Sequence, residues 1–140
     1  IICFFLKMIK KNKNKIYDYL KSISLFLFFG VLITGFMAQV IKHLIGRPRP
    51  NHIIEGKFEL TFFNFDSAFH SFPSGHTSTI FFVALALSLF TPSIKIIYLF
   101  FATLVSLSRI VVGAHHLTDI LGGLIIAIIG YKITIYLFDK

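Results

Sequence analysis

The sequence predicts an all-α protein, a polytopic bundle of membrane-crossing helices. Three observations predict it. Hydrophobic residues make up 56% of the 140 positions and the mean hydropathy is +0.81, where a soluble domain is about 45–50% apolar. Residues 22–41 contain no charged side chain, and a helix of about 20 residues spans the ~30 Å hydrocarbon core. Comparable runs recur at 77–94, at Ile96–Ser108, and at Ile120–Phe138, the last broken only by Lys132, which can snorkel to an interface. Lipid offers backbone N–H and C=O groups no partner, so runs this apolar are expected to be helical.

Residues 1–6 (Ile-Ile-Cys-Phe-Phe-Leu) read as the tail of another membrane helix, because the charges follow the apolar stretch instead of preceding it as in a signal peptide. With Ile1 in place of Met, this predicts a fragment whose N-terminal helices are missing. Residues 1–21 therefore form a helix tail and a basic loop, and residues 22–140 the functional core. Lys7, Lys10, Lys11, Lys13, Lys15 and Lys21 face one acid there, Asp18. A basic loop beside a membrane span reads as cytoplasmic. The net charge of +8 thus reflects topology, and no basic stripe with interleaved aromatics points to nucleic acid. The lone cysteine, Cys3, excludes an internal disulfide and a cysteine metal cluster.

Four spans follow, at about 22–41, 76–91, 94–112 and 119–138. With the lysine run in the cytoplasm, the first span delivers Lys42 to the outside and residues 42–75 stay there. The second descends to Thr91-Pro92-Ser93, a turn with a helix-stopping proline. The third returns Arg109 to the outside and the fourth descends. All five tyrosines (Tyr17, Tyr19, Tyr98, Tyr131, Tyr136) fall near the proposed cytoplasmic ends, as an aromatic belt would. Gly123, Ala127, Gly130 and Thr134 share one face of the last span, where small residues permit close helix approach.

Three polar runs collect on the outer side. In Gly46-Arg47-Pro48-Arg49-Pro50 the prolines keep the arginines out of a helix. Lys42 and Arg49 suit an anion or a lipid headgroup equally well, and Arg47 is read as the headgroup contact. In Ser71-Phe72-Pro73-Ser74-Gly75-His76-Thr77, Ser74 is placed to cap a helix and Gly75 to let the backbone approach a ligand. The free N–H groups of that helix start favour phosphate, with His76 in the first turn above it. In the third run Arg109 ends a span, Gly113 breaks it and Asp119 opens the next. His115 and Asp119 are four apart and would face each other on a helical turn. A carboxylate on one ring nitrogen would fix the tautomer and free the other to attack. His116, three from Asp119, could claim the same partner.

Lys-x6-Arg-Pro (Lys42–Pro50), Pro-Ser-Gly-His (Pro73–His76) and Ser-Arg-x5-His-x3-Asp (Ser108–Asp119) resemble the three signature motifs of the type 2 phosphatidic acid phosphatase (PAP2) superfamily, which includes the vanadium haloperoxidases. All 11 fixed positions match in order, over about residues 22–138. The resemblance implies a core of six membrane helices, two of them truncated here. It implies His115, not His116, as nucleophile forming a phosphohistidine, Asp119 as its orienter, and His76 as general acid and then base. It gives Lys42, Arg49, Arg109, Ser74 and the Gly75 N–H the task of holding phosphoryl oxygens. No metal or other cofactor is expected, because the cations supply the charge and no HExxH or carboxylate cluster is present.

The expected substrate is a lipid phosphate or diphosphate, with membrane lipids as partners and no nucleic acid. The expected location is a bacterial inner membrane with the site on the periplasmic side. Phe58, Phe62, Phe63, Phe65, Phe69 and Phe72 lie in the outer segment. They are read either as an interfacial stretch among acyl chains or as rings packed on the bundle. The alternative function is a non-catalytic lipid-phosphate binder or transporter on the same scaffold.

Overall fold

The computed structural model describes residues 13–53 and 59–139. The tail at 1–6, Cys3, Lys7, Lys10, Lys11 and Phe58 lie outside the described residues. Four helices carry the fold: α1 (Lys13–Ile45), α2 (Gly75–Phe90), α3 (Lys95–Val111) and α4 (Leu117–Phe138). Short 3-10 turns sit at Pro50–His52, Ser67–Phe69 and Pro92–Ile94. The all-α membrane bundle expected from the sequence is the observed architecture. Segments Ile16–Ile45, Pro92–Val111 and Leu117–Phe138 are each long and apolar enough to cross a membrane. At 16 residues, α2 is about 24 Å long at ~1.5 Å per residue.

The main departure is α1, which begins nine residues before the expected span. Its added turns carry Lys13, Lys15 and Lys21. Lysine is a good helix former, and no Pro or Gly interrupts the stretch, so hydropathy marked the membrane-crossing part and not the helix. The C-terminal end is set by Gly46, whose φ of +51° is left-handed and whose N–H bonds the Lys42 carbonyl at 3.0 Å. A Cβ at Gly46 would collide with the Thr61 carbonyl.

Helix α2 packs against all three other helices, and α4 also packs along α1. Phe26, Phe82, Ala86 and Ala127 form the buried core, with the Phe26 and Phe82 rings stacked at 6.2 Å. The close approaches need glycine. A Cβ on Gly30 would enter the Phe82 ring, one on Gly130 would enter Thr34, and one on Gly123 would stand 2.6 Å from the Ser74 carbonyl. The expected small face of the last span is therefore its packing face: Gly123, Ala127, Gly130 and Thr134 are all buried. Thr34, Ser106 and Thr134 satisfy their buried hydroxyls on the carbonyl four residues earlier. Phe28, Phe36, Phe100, Phe101 and Ile125 point outward, which suits lipid as the surrounding solvent. The tyrosines lie at the opposite end of the helices from the three polar runs.

Candidate active site

Each polar run is placed by a helix end. Lys42 sits in the last turn of α1, buried, with its ammonium donating to the His70 carbonyl at 2.7 Å. Beyond Gly46 the chain runs extended through Arg49 (φ −76°, ψ 150°), as Pro48 and Pro50 require. Arg49 is tied to the loop before α2, through its N–H to the Ala68 carbonyl (2.9 Å) and its Nε to the Ser67 carbonyl (3.1 Å).

Ser74 is the N-cap of α2, accepting from the Thr77 N–H at 3.4 Å and the Thr77 hydroxyl at 3.0 Å. Gly75 and His76 follow as the first helical residues, and both line one cavity. On α3, Arg109 lies in the last turn. Its carbonyl accepts from Ala114 and His115 N–H groups at 3.1 and 3.2 Å. Gly113 (φ +68°) reverses the chain as expected.

The link between His115 and Asp119 differs from the one expected. They do not share a helical turn, because α4 starts at Leu117 and His115 precedes the cap. The helix start is fixed instead by a capping box, in which Asp119 Oδ2 accepts from the His116 N–H at 2.8 Å. That box swings the His115 ring over the carboxylate, with Nδ1 3.6 Å from Oδ2. His116 turns the other way, its Nε2 3.4 Å from the Pro48 carbonyl.

Arg47 is a correction. Expected at lipid headgroups, it instead forms an ion pair with Asp119, Nη1 to Oδ1 at 2.6 Å, and also donates to the Thr118 hydroxyl at 2.5 Å. The Ser71 hydroxyl donates to Asp119 Oδ2 at 2.5 Å. Neither role was visible in the motif spacing. The signal available was physical: a carboxylate with no exposed surface needs a counter-charge and several donors, and Arg47 was a cation of the outer runs without a phosphate to hold.

A cavity of about 620 Å³ opens where these ends meet. Six of the eight expected site residues line it: Lys42, Arg49, Gly75, His76, Arg109 and His115. Ser74 and Asp119 are fully buried behind its wall. The floor, one to two turns deeper, is formed by Gly35, Ala38, Gln39, Thr79, Ile80 and Val105. Three cations and a helix N-terminus lining one cavity favour an anion, and the two imidazoles in the same lining can exchange protons with it. Among the described residues no three His, Cys, Asp or Glu side chains come together as a metal-holding group.

The chain resembles several known proteins in sequence and in fold. A lipid A 1-phosphatase of Rhizobium johnstonii is 36% identical over 120 residues, covering 84% of this chain and 49% of that protein. Lipid phosphate phosphatase 2 of Arabidopsis thaliana is 33% identical over 151 residues, covering 83% of this chain and 50% of that protein. The chain thus spans about half the length of the curated relatives it matches. The crystal structure of Aquifex aeolicus LpxE superposes with a TM-score of 0.67 at 25% identity, covering 96% of this chain and 84% of that one. The family profile described as PAP2 superfamily matches residues 23–140, which takes in every helix end that meets at the cavity. On that span and those relatives, this membrane-helix chain belongs to the PAP2 superfamily.

Proposed function

We propose that the chain is an integral membrane phosphatase hydrolysing a lipid phosphate or diphosphate monoester through a phosphohistidine, without a metal. The observation that supports this most is the lining of one cavity by His76, His115, Lys42, Arg49 and Arg109 together. The cations and the Gly75 N–H hold the non-bridging phosphoryl oxygens. Their charge offsets what builds up in the transition state, so most of the barrier falls by positioning and electrostatics. The His115 nitrogen remote from Asp119 attacks phosphorus, and the P–O bond to the lipid breaks. His76 gives its proton to the departing oxygen. Water then attacks the phosphohistidine while His76 takes a proton back, releasing inorganic phosphate and restoring both rings.

Ser74 enters this scheme through the backbone. Its hydroxyl caps α2 and so holds the Gly75–His76 turn against the cavity, which supports an indirect part in phosphate binding.

A lipid substrate is supported from two sides. The relatives carry the names lipid A 1-phosphatase and lipid phosphate phosphatase. Phe62, Phe63 and Phe65 are 67–81% exposed in the outer loop. Phe65 packs on His43, ring centroids 5.3 Å apart, and His43 belongs to the last turn of a membrane-crossing helix. These three rings match the interfacial reading, while Phe72 packs under Gly122 and matches the bundle reading. Undecaprenyl diphosphate, phosphatidate, phosphatidylglycerophosphate and lipid A are the candidate substrates. Residues 22–140 are the catalytic core in this reading. The site faces the periplasm of a bacterial inner membrane, an orientation supported by the basic residues before Ser22 and the tyrosines at the far end.

The test is phosphate release from a panel of those lipids by wild type and His115→Ala in detergent. Release by wild type and none by the variant is expected. Binding of lipid phosphate without release by wild type would replace the enzyme with a binder or transporter.

A further inference from the structure

We propose that Arg47 and Ser71 are positioning residues that act on His115 through Asp119. The inference rests on the phosphatase reading above and adds two residues to it.

Asp119 has no exposed surface. Oδ1 accepts from Arg47 Nη1 at 2.6 Å. Oδ2 accepts from the Ser71 hydroxyl at 2.5 Å and the His116 N–H at 2.8 Å. The carboxylate plane is therefore held from both ends, by donors on three different segments: the loop after α1, the loop before α2, and the cap of α4. The two loops are themselves joined, Ser71 N–H to the Arg47 carbonyl at 3.0 Å.

His115 is the dependent partner. Its ring is 4% exposed and its Nδ1 makes no hydrogen bond. Asp119 Oδ2, at 3.6 Å, is the acceptor that faces it. The position of Oδ2 thus selects which ring nitrogen carries the proton: with Oδ2 in place, Nδ1–H is favoured and the other nitrogen keeps its lone pair. A carboxylate free to rotate about its own axis would lose that selection. Arg47 and Ser71 remove the rotation. With Oδ2 held 3.6 Å from the ring, that contact shortens to a hydrogen bond as His115 gains positive character on attack.

A plain staple joining three loops would show the same distances, so the test separates the two. Wild type, Arg47→Gln, Arg47→Lys, Ser71→Ala, Asp119→Asn and the double variant Arg47→Gln/Asp119→Asn are purified in detergent. Two quantities are read: steady-state rates on a dispersed lipid phosphate, and 15N spectra of histidine-labelled protein, with His115 assigned by its loss in His115→Gln. Arg47→Gln is expected to lower kcat roughly 10–100-fold, as removal of an outer partner of a working ligand does, with KM nearly unchanged. Ser71→Ala should give a smaller loss, and Arg47→Lys should recover part of it. In the Asp119→Asn background Arg47→Gln should cost nothing further. The His115 signals should move from Nδ1–H toward the other tautomer in Arg47→Gln and Ser71→Ala. Equal losses in the two backgrounds, or unchanged His115 signals in both single variants, overturn the proposal. If wild type releases no phosphate, the phosphatase reading fails, while the spectra still decide whether Arg47 and Ser71 set the ring.

Discussion

Asp119→Asn removes one charge and one acceptor at the point where all three polar runs meet. In the native site three donors converge on the carboxylate: Arg47 Nη1 on Oδ1, and the Ser71 hydroxyl and His116 N–H on Oδ2. Asparagine keeps one acceptor oxygen and gains two N–H donors. If the oxygen stays with Ser71 and His116, the amide opposes the Arg47 guanidinium. If it turns to Arg47, the amide opposes Ser71, His116 and His115 together. Loss of one charge-assisted bond costs about 1.5–3 kcal/mol. Leaving a fully buried partner charged and unpaired costs about 3–5 kcal/mol. Arg47 is 19% exposed and keeps some hydration, so about 3 kcal/mol of stability is the expected loss. The rate should suffer more. An aspartate that sets the tautomer of a working histidine is worth about 10⁴ in kcat in the serine-protease triad, or ~5.4 kcal/mol at 1.36 per tenfold. Initial rates and thermal melts in the same detergent separate the two effects. A folded Asp119→Asn within tenfold of wild-type kcat would refute the assignment of Asp119 as the orienter of His115.

His115→Ala should stop phosphate release while vanadate or a lipid phosphate still binds, measured by calorimetry, because Lys42, Arg49 and Arg109 remain. Vanadate should inhibit wild type and EDTA should not; clear loss of rate with EDTA would reject metal-free chemistry. Gly123→Ala puts a Cβ 2.6 Å from the Ser74 carbonyl and 2.9 Å from Thr77 Cβ. It should lower stability by about 1–3 kcal/mol, whereas Gly35→Ala meets no atom within 4 Å and should raise it by up to ~1 kcal/mol, both read by melting. Replacing Phe62, Phe63 and Phe65 together by Ser should slow hydrolysis of lipid phosphate in vesicles and spare a short-chain soluble ester; equal slowing of both would detach those rings from lipid.

Helix identity was legible because hydropathy and chain length speak directly about a membrane. Uncharged runs of about 20 residues located the crossings, Pro92 and Gly113 their ends, and the Gly123–Thr134 face its packing role. The N-terminal reach of α1 was not legible, since a lysine-rich segment outside the membrane can be helical without being apolar. At the site, residue types near helix ends identified the groups that line the cavity, because a helix end fixes what its first and last turns present. Two things escaped. The relation of His115 to Asp119 was sought in helical periodicity, but a capping box set it, and caps depend on where a helix starts to within one residue. Arg47 and Ser71 were missed because their partner lies more than 40 residues away in sequence, and local spacing carries no information on that distance.

The most direct measurement is capture of the covalent intermediate. Wild type and His76→Ala are mixed with labelled lipid phosphate, quenched in alkali to preserve phosphohistidine, digested and sequenced by mass spectrometry. Phosphate on residue 115 and on no other side chain is the expected result, with both its formation and its loss slower in His76→Ala. Turnover by wild type with label on another side chain, or on none in either protein, would contradict the mechanism.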